Sequence, residues 1–502
     1  MVPRSFRLLT SHVVMVLMAA FALASSYRGS TSHVLHRRFG VVTSSHSHVR
    51  RRASTSASTS ASTSASTSAS TNTEQDGRSS LQGFEAFVRT NPHSDKISAQ
   101  AFHHVEFYCG DATNTYKRFM LGLGMEYIAK SDQSTGNTAH ASYVLQSGSM
   151  RMVFTAPYPS TVATSPTAVG PVMPCTAVPF PSFRGDEAYA FSRAHGLGVR
   201  AVALEVDDVA TSHRALVQNG AASRLGPTRL EEGALGWAEV AEVALYGDVV
   251  LRLVNTKQYT GPFLPHFGAS NSKPVGAREG DPTYGLMRYD HIVGNVWELG
   301  PSMARVKQMT GFHDFAEFIA EDVGTVDSGL NSVVLANNNE MVLMPLNEPT
   351  YGTKRKSQIQ TYLEQNQGEG VQHMALMTYD IFRTMRRMRE AAVYGGFEFL
   401  DPQPATYYDN LPARLGDALT PDQYRQVREL GLLADKDDQG VLLQVFTKPV
   451  GDRPTLFLEI IQRIGCIDGT TGAQKPGCGG FGKGNFKDLF KGIEDYERTL
   501  AV

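Results

Sequence analysis

The chain has 502 residues, room for two or three domains, and its 41% of hydrophobic residues can fill sizeable cores. A formal net charge of -2 at pH 7 gives no footing to nucleic acid or an acidic partner. Four cysteines (Cys109, Cys175, Cys466 and Cys478) make neither a disulfide framework nor a zinc-binding spacing. They are expected as buried or free thiols, with a redox pair between Cys466 and Cys478 left open.

The first segment differs in kind from the rest. No acidic residue precedes Glu74, and Arg4 and Arg7 stand before an apolar run, Val13 to Ala24, that ends Ala22-Leu23-Ala24. Residues 1–24 therefore read as a signal-like peptide, too short for a membrane span, so the mature chain is not expected to span a membrane. Residues 25–98 read as a transit-like and disordered linker: Arg37, Arg38, Arg50, Arg51 and Arg52 lie among Ser and His, and Ala53 to Thr71 repeats Ala-Ser-Thr-Ser. A signal followed by a transit-like stretch suggests bipartite delivery to a plastid; a single mitochondrial presequence, ER entry or a cytoplasmic end point after processing are the alternatives.

From about residue 99 four segments start alike, as short strand-like runs: Phe102 to Phe107, Val199 to Leu204, Tyr289 to Val293 and Val371 to Leu376. Asp111, Asp207-Asp208 and Asp380 then lead into helical patterns, with Gly122, Gly220 and Gly395 placed to stop them. Further strands are expected at Tyr143–Leu145, Met152–Thr155, Ser332–Leu335 and Met341–Leu343. A strand-helix-strands unit repeated four times is an internal duplication. It predicts an α+β chain of two similar domains, 99–270 and 284–502, joined by the Gly-, Pro- and Ser-rich stretch Gly261 to Pro282.

Two of the four strands carry a histidine in an apolar run, His291 and His373, and Phe457-Leu458-Glu459-Ile460-Ile461 buries a carboxylate in another. An ionised Glu in such a run needs a partner. Two imidazoles and one carboxylate are the ligand set of a non-haem Fe(II) oxygenase with open positions. The duplication supplies a control: aligned, His104 matches His291, but Ala201 matches His373 and Arg252 matches Glu459. The first half lacks the set, so His103 and His104 are expected to be structural, and Asp290 to orient a neighbour.

The paired units resemble the βαβββ modules of the vicinal-oxygen-chelate superfamily, two modules to a half-open barrel. The segments His103 to Ala112, Ser131 to Asn137, Asp290 to Val296, Gly440 to Val450 and Gly477 to Phe486 resemble the 4-hydroxyphenylpyruvate dioxygenase family, most of all its plant and algal branch. The resemblance implies one Fe(II) per subunit on His291, His373 and Glu459 of the C-terminal domain. It implies a substrate cavity with Ser332, Asn347, Gln358, Gln372 and Gln444 as polar groups and Phe446, Phe457, Phe486 and Phe490 as walls. A tail from Phe481 and Gly482 would form a gating helix at about 485–499, with Asn485 as N-cap and Phe486, Leu489, Phe490, Ile493 and Tyr496 as its apolar stripe. The implied reaction takes 4-hydroxyphenylpyruvate and O2 to homogentisate and CO2, in tyrosine breakdown and, in a plastid, towards tocopherols and plastoquinone; a homodimer is also implied. The alternatives are 4-hydroxymandelate synthesis from the same substrate and a non-catalytic binding protein with a relic metal site. The P-loop-like run Gly477 to Lys483 fails at its last position, where Gly484 replaces the Mg2+-binding hydroxyl.

Overall fold

The computed structural model describes residues 81–159, 179–272, 283–324, 328–467, 469–470 and 474–500. The signal-like segment, the Ala-Ser-Thr-Ser tract and Cys175 lie outside the described residues. Every described residue belongs to one compact unit. Residues 81–98, expected as the end of a disordered linker, instead pack: Phe84 stacks on Phe318 at 5.3 Å, and Lys96 N donates to Thr310 O. Leu81, Phe84 and Ile97 supply the apolar anchors that the Ser/Thr tract before them lacks.

Two mixed sheets follow. The first comprises β1 (Ala99–Tyr108), β2 (Glu126–Ser131), β3 (His140–Ser147), β4 (Met150–Pro157), β5 (Gly198–Val206), β6 (Ser223–Glu231), β7 (Trp237–Tyr246), β8 (Val249–Asn255) and β9 (Gly268–Ser272). The second comprises β10 (Leu286–Asn295), β11 (His313–Phe318), β12 (Leu330–Ala336), β13 (Leu343–Pro349), β14 (Gly370–Thr378), β15 (Leu433–Lys436), β16 (Gly440–Phe446) and β17 (Phe457–Gly465). Their orders are β6-β7-β8-β5-β1-β4-β3-β2-β9 and β11-β12-β13-β10-β14-β17-β16-β15. Each half is thus two strand-helix-three-strand modules joined through one antiparallel pair, β1 with β5 and β10 with β14. The fold is α+β, as the fourfold pattern predicts. The four central strands are buried on both faces, which is why they read as nearly unbroken apolar runs.

The predicted helix starts are capped as expected: Asp111, Asp208 and Asp380 accept from Asn114 N, Thr211 N and Arg383 N, opening helices Ala112–Leu123, Val209–Gln218 and Ile381–Ala392. The stop at Gly122 moves to Gly124, whose φ of 62° ends the first helix. Gly122 lies inside that helix, where a Cβ would stand 2.6 Å from Phe397. The strand expected over Met341–Leu343 begins at Leu343 and runs on to Pro349, which brings Asn347 into the sheet. One apolar core continues across both sheets, and Tyr289 Oη and Ser147 Oγ tie them through bonds to Arg151 O and Leu286 O.

Candidate metal centre and its cavity

β10, β14 and β17 are neighbours, and their register decides what meets. His291 pairs with Ala375, and Ala375 pairs with Glu459. His373 lies two residues before Ala375, so strand alternation turns all three ligand candidates to one face. Between His291 and Glu459 stands only the methyl group of Ala375. His291 Nε2 lies 3.1 Å and His373 Nε2 3.5 Å from Glu459 Oε2. The three ligand atoms all fall within 4.8 Å of one another, and no other such group occurs among the described residues.

The other imidazole nitrogens are spoken for. His291 Nδ1 donates to Asp290 Oδ1, and His373 Nδ1 donates to Gln372 Oε1, both at 2.9 Å. Placing the proton on Nδ1 leaves the Nε2 lone pair for a cation. Asp290 can reach its neighbour because the pairing of β10 with β14 slips between Tyr289 and His291, a bulge that interrupts the alternation of facing side chains. Burial works to lower the pKa of His291, but Glu459 and Asp290 overcome it and raise it to about 9. Burial wins at His373, which is lowered. Burial raises Glu459, but the two histidines lower it further, so it stays an anion. Two imidazoles and a buried carboxylate aimed at one point suit a divalent metal with open positions.

The three side chains sit in a cavity that, counted together with its opening to solvent, takes in about 680 Å³. Its wall takes residues from seven strands, β10 to β14, β16 and β17, so the second sheet curls around it as a half-open barrel. Ser332, Asn347, Gln358, Gln372, Gln444, Phe446, Phe457, Phe481, Phe486 and Phe490 all line it. Phe457 stacks on His373 at 4.8 Å, and Phe481 meets the His291 ring at 5.2 Å. Gln358 Oε1 is buried with no hydrogen-bond partner in the structure. Gly482 is not in the wall. At φ 75° it caps the last helix, Lys483–Glu497, and a Cβ there would stand 2.7 Å from Gln444 Nε2.

Comparison with known proteins settles the family. No protein-family model matches the chain. It is 57% identical over 426 residues to the 4-hydroxyphenylpyruvate dioxygenase of Daucus carota, covering 84% of this chain and 92% of that one. It is 54% identical over 431 residues to the enzyme of that name from Arabidopsis thaliana, covering 84% and 93%. This chain belongs to the 4-hydroxyphenylpyruvate dioxygenase family. A solved mutant of 4-hydroxymandelate synthase from Streptomyces coelicolor shares the fold, with a TM-score of 0.62 at 24% identity over 80% of this chain and 100% of that one.

Within this family member, the first half shows what replaces a metal. His104 pairs with Ala203, and Ala203 with Arg252, the same register as the ligand set. Arg252 donates to Glu242 and Glu106 at 2.7 Å each and meets His104 Nε2 at 3.0 Å. A guanidinium supplies the positive charge, and two buried carboxylates pair with it. Burial holds both His103 and His104 neutral, His103 at about 3.

Two expectations need correction. Cys466 and Cys478 are not thiols but a disulfide, with Cα atoms 5.8 Å apart. Among the described residues, Cys109 is the free, buried thiol, pushed up to about 12 by burial. The last helix starts at Lys483 rather than 485 and ends at Glu497. Asn485 does not cap it; its Oδ1 accepts from Tyr407 Oη at 2.8 Å. Val293, Phe318, Leu330, Val334, Pro345, Leu442 and Ile461 complete the cavity wall and went unread in the sequence. Apart from Phe318, each lies two residues from a polar or ligand residue on its own strand, so period-two counting finds them.

Proposed function

We propose that the chain is an Fe(II)-dependent dioxygenase that converts 4-hydroxyphenylpyruvate and O2 to homogentisate and CO2. One iron per subunit would be held by His291, His373 and Glu459. The observation that carries this reading is the convergence of those three side chains in a largely apolar cavity of a family member. Bound iron supplies chelation of a 2-oxo acid and activation of O2. The chain supplies the rest. Asp290 and Gln372 fix the two imidazole tautomers. The orphaned Gln358 Oε1 suits a phenol O–H, since a buried acceptor left unpaired costs about 1–3 kcal/mol. Ser332, Asn347 and Gln444 add neutral polar groups, and Phe446, Phe457 and Phe481 keep water from the reacting end. Phe486 and Phe490 close the cavity from the last helix, which acts as its gate.

The test is product identification after anaerobic loading with Fe(II) and 4-hydroxyphenylpyruvate, then admission of O2. Homogentisate with equimolar O2 uptake supports the proposal. Absence of O2 uptake overturns the enzyme, and 4-hydroxymandelate overturns the product. The same reading includes a homodimer through the N-terminal domain and plastid delivery by the signal-like and transit-like segments that precede the packed residues from 81 onward. Sedimentation and N-terminal sequencing of the mature chain test those two. No helix among the described residues is long and apolar enough to cross a membrane.

A further inference from the structure

Arg463 stands on β17 four residues beyond Glu459, so alternation turns it to the same face of the sheet. Its side chain is buried, with the Phe481 ring 5.6 Å from the guanidinium carbon and oxygen acceptors for its nitrogens. Nε and Nη2 donate to Oδ2 and Oδ1 of Asp290, both at 2.8 Å. Nη1 donates to the carbonyls of Cys478 at 2.5 Å and Gly480 at 2.6 Å. Those carbonyls belong to the glycine-rich segment leading into Phe481, whose ring meets His291. Asp290 in turn accepts from His291 Nδ1. The contacts close a ring: His291, Asp290, Arg463, the 478–480 backbone, Phe481 and back to His291.

The first half again serves as a control. Its bulge falls at the matching place on β1, but the bulged residue is His103, and four residues beyond Arg252 stands Thr256. The half without the ligand set lacks both members of the Asp–Arg pair.

We propose that Arg463 is a positioning residue that ties the ring orientation of His291 to the seating of residues 477–482, so that the metal centre and its closing segment are set together. A guanidinium suits this role because one edge grips a carboxylate bidentately while the remaining nitrogen reaches two carbonyls; an ammonium has no such planar fork. The disulfide fixes Cys478 to the end of the same strand, but it touches neither Asp290 nor His291, so it tethers the segment without coupling it to the metal. The inference rests on the proposed function only for the metal's identity. A chain that holds a cation in this site yet turns nothing over would defeat that function and leave the coupling standing.

The test uses the full chain and two variants, Arg463→Lys and Asp290→Asn, with two readouts. Affinity for Co(II) is followed by its ligand-field absorption, and amide hydrogen exchange is followed across residues 477–482. Coupling predicts that Arg463→Lys lowers Co(II) affinity about 10–100-fold, as loss of an outer hydrogen-bond partner does, and speeds exchange of the segment in the same variant. Asp290→Asn must also speed that exchange, although Asp290 does not touch the segment. Faster exchange with unchanged Co(II) affinity in Arg463→Lys reduces Arg463 to a local tether and overturns the proposal. Lowered affinity with unchanged exchange overturns it too. Should Arg463→Lys fail to fold, the nearly isosteric Asp290→Asn decides alone: unchanged exchange at 477–482 sinks the coupling.

Discussion

Glu459 is the residue on which the site turns. Among the described residues it is the only carboxylate facing two imidazole Nε2 atoms, and it is buried, so its charge needs a cation. Glu459→Gln keeps the shape and removes that charge. We expect metal content and turnover to vanish while far-UV circular dichroism stays unchanged, and normal metal content in the variant would refute the ligand assignment. Gln372→Ala removes the acceptor that holds His373 Nδ1, and we expect metal affinity to fall about 10–100-fold by direct titration. Ala375→Leu places a branched side chain between His291 and Glu459, and should block metal binding although Ala375 is no ligand. This cluster was legible because polar groups in apolar strands are conspicuous. The Cys466–Cys478 bridge was not, because a spacing does not reveal that β17 and the glycine-rich tail turn back on each other.

Among elements, the last helix carries the sharpest pH dependence. Glu497 ends it, half-buried, and burial raises its carboxyl to about 7; Arg355 opposes the shift, and nearby Glu494 adds to it. Glu494 itself anchors the helix, bonding Ser328 at 2.6 Å. A carboxyl whose folded pKa lies above its unfolded value binds more protons when the helix is seated. Its seat is therefore strongest below pH 4.5 and weakens as pH rises through the window from 4.5 to about 7. Protection of the 483–497 amides, relative to their intrinsic exchange rates, should fall across that window in the wild type, and Glu497→Gln should flatten the dependence. An unchanged slope in the variant would remove Glu497 from the gate. The helix was visible in the sequence as an apolar stripe. Its start was misread because Asn485 is a good N-cap residue locally, yet Tyr407, from the inserted helix Ala405–Leu415, claims its side chain. Such a partner, 78 residues away, leaves no local signal.

Across the whole molecule, one fold is built twice and used differently. The matched registers of His104–Ala203–Arg252 and His291–Ala375–Glu459 show that the sheet accepts either a metal set or an internal cation. Arg252→Met should strand Glu106 and Glu242, costing about 3–5 kcal/mol in a denaturant titration, while leaving metal affinity in the second half as it was. A loss of metal with little loss of stability would mean that the halves are not divided in this way. The duplication and fold class were readable because module starts repeat in sequence; the half-open barrel, in which seven strands share one cavity, was reached only through the family resemblance, since the curl depends on pairings between distant segments. If His291, His373 and Glu459 together hold iron, diffraction at the iron absorption edge from crystals grown anaerobically with Fe(II) will place the ion among them. One anomalous peak per subunit is expected, bounded by His291 Nε2, His373 Nε2 and a Glu459 carboxylate oxygen; a peak elsewhere, or none at these three atoms, refutes the assignment.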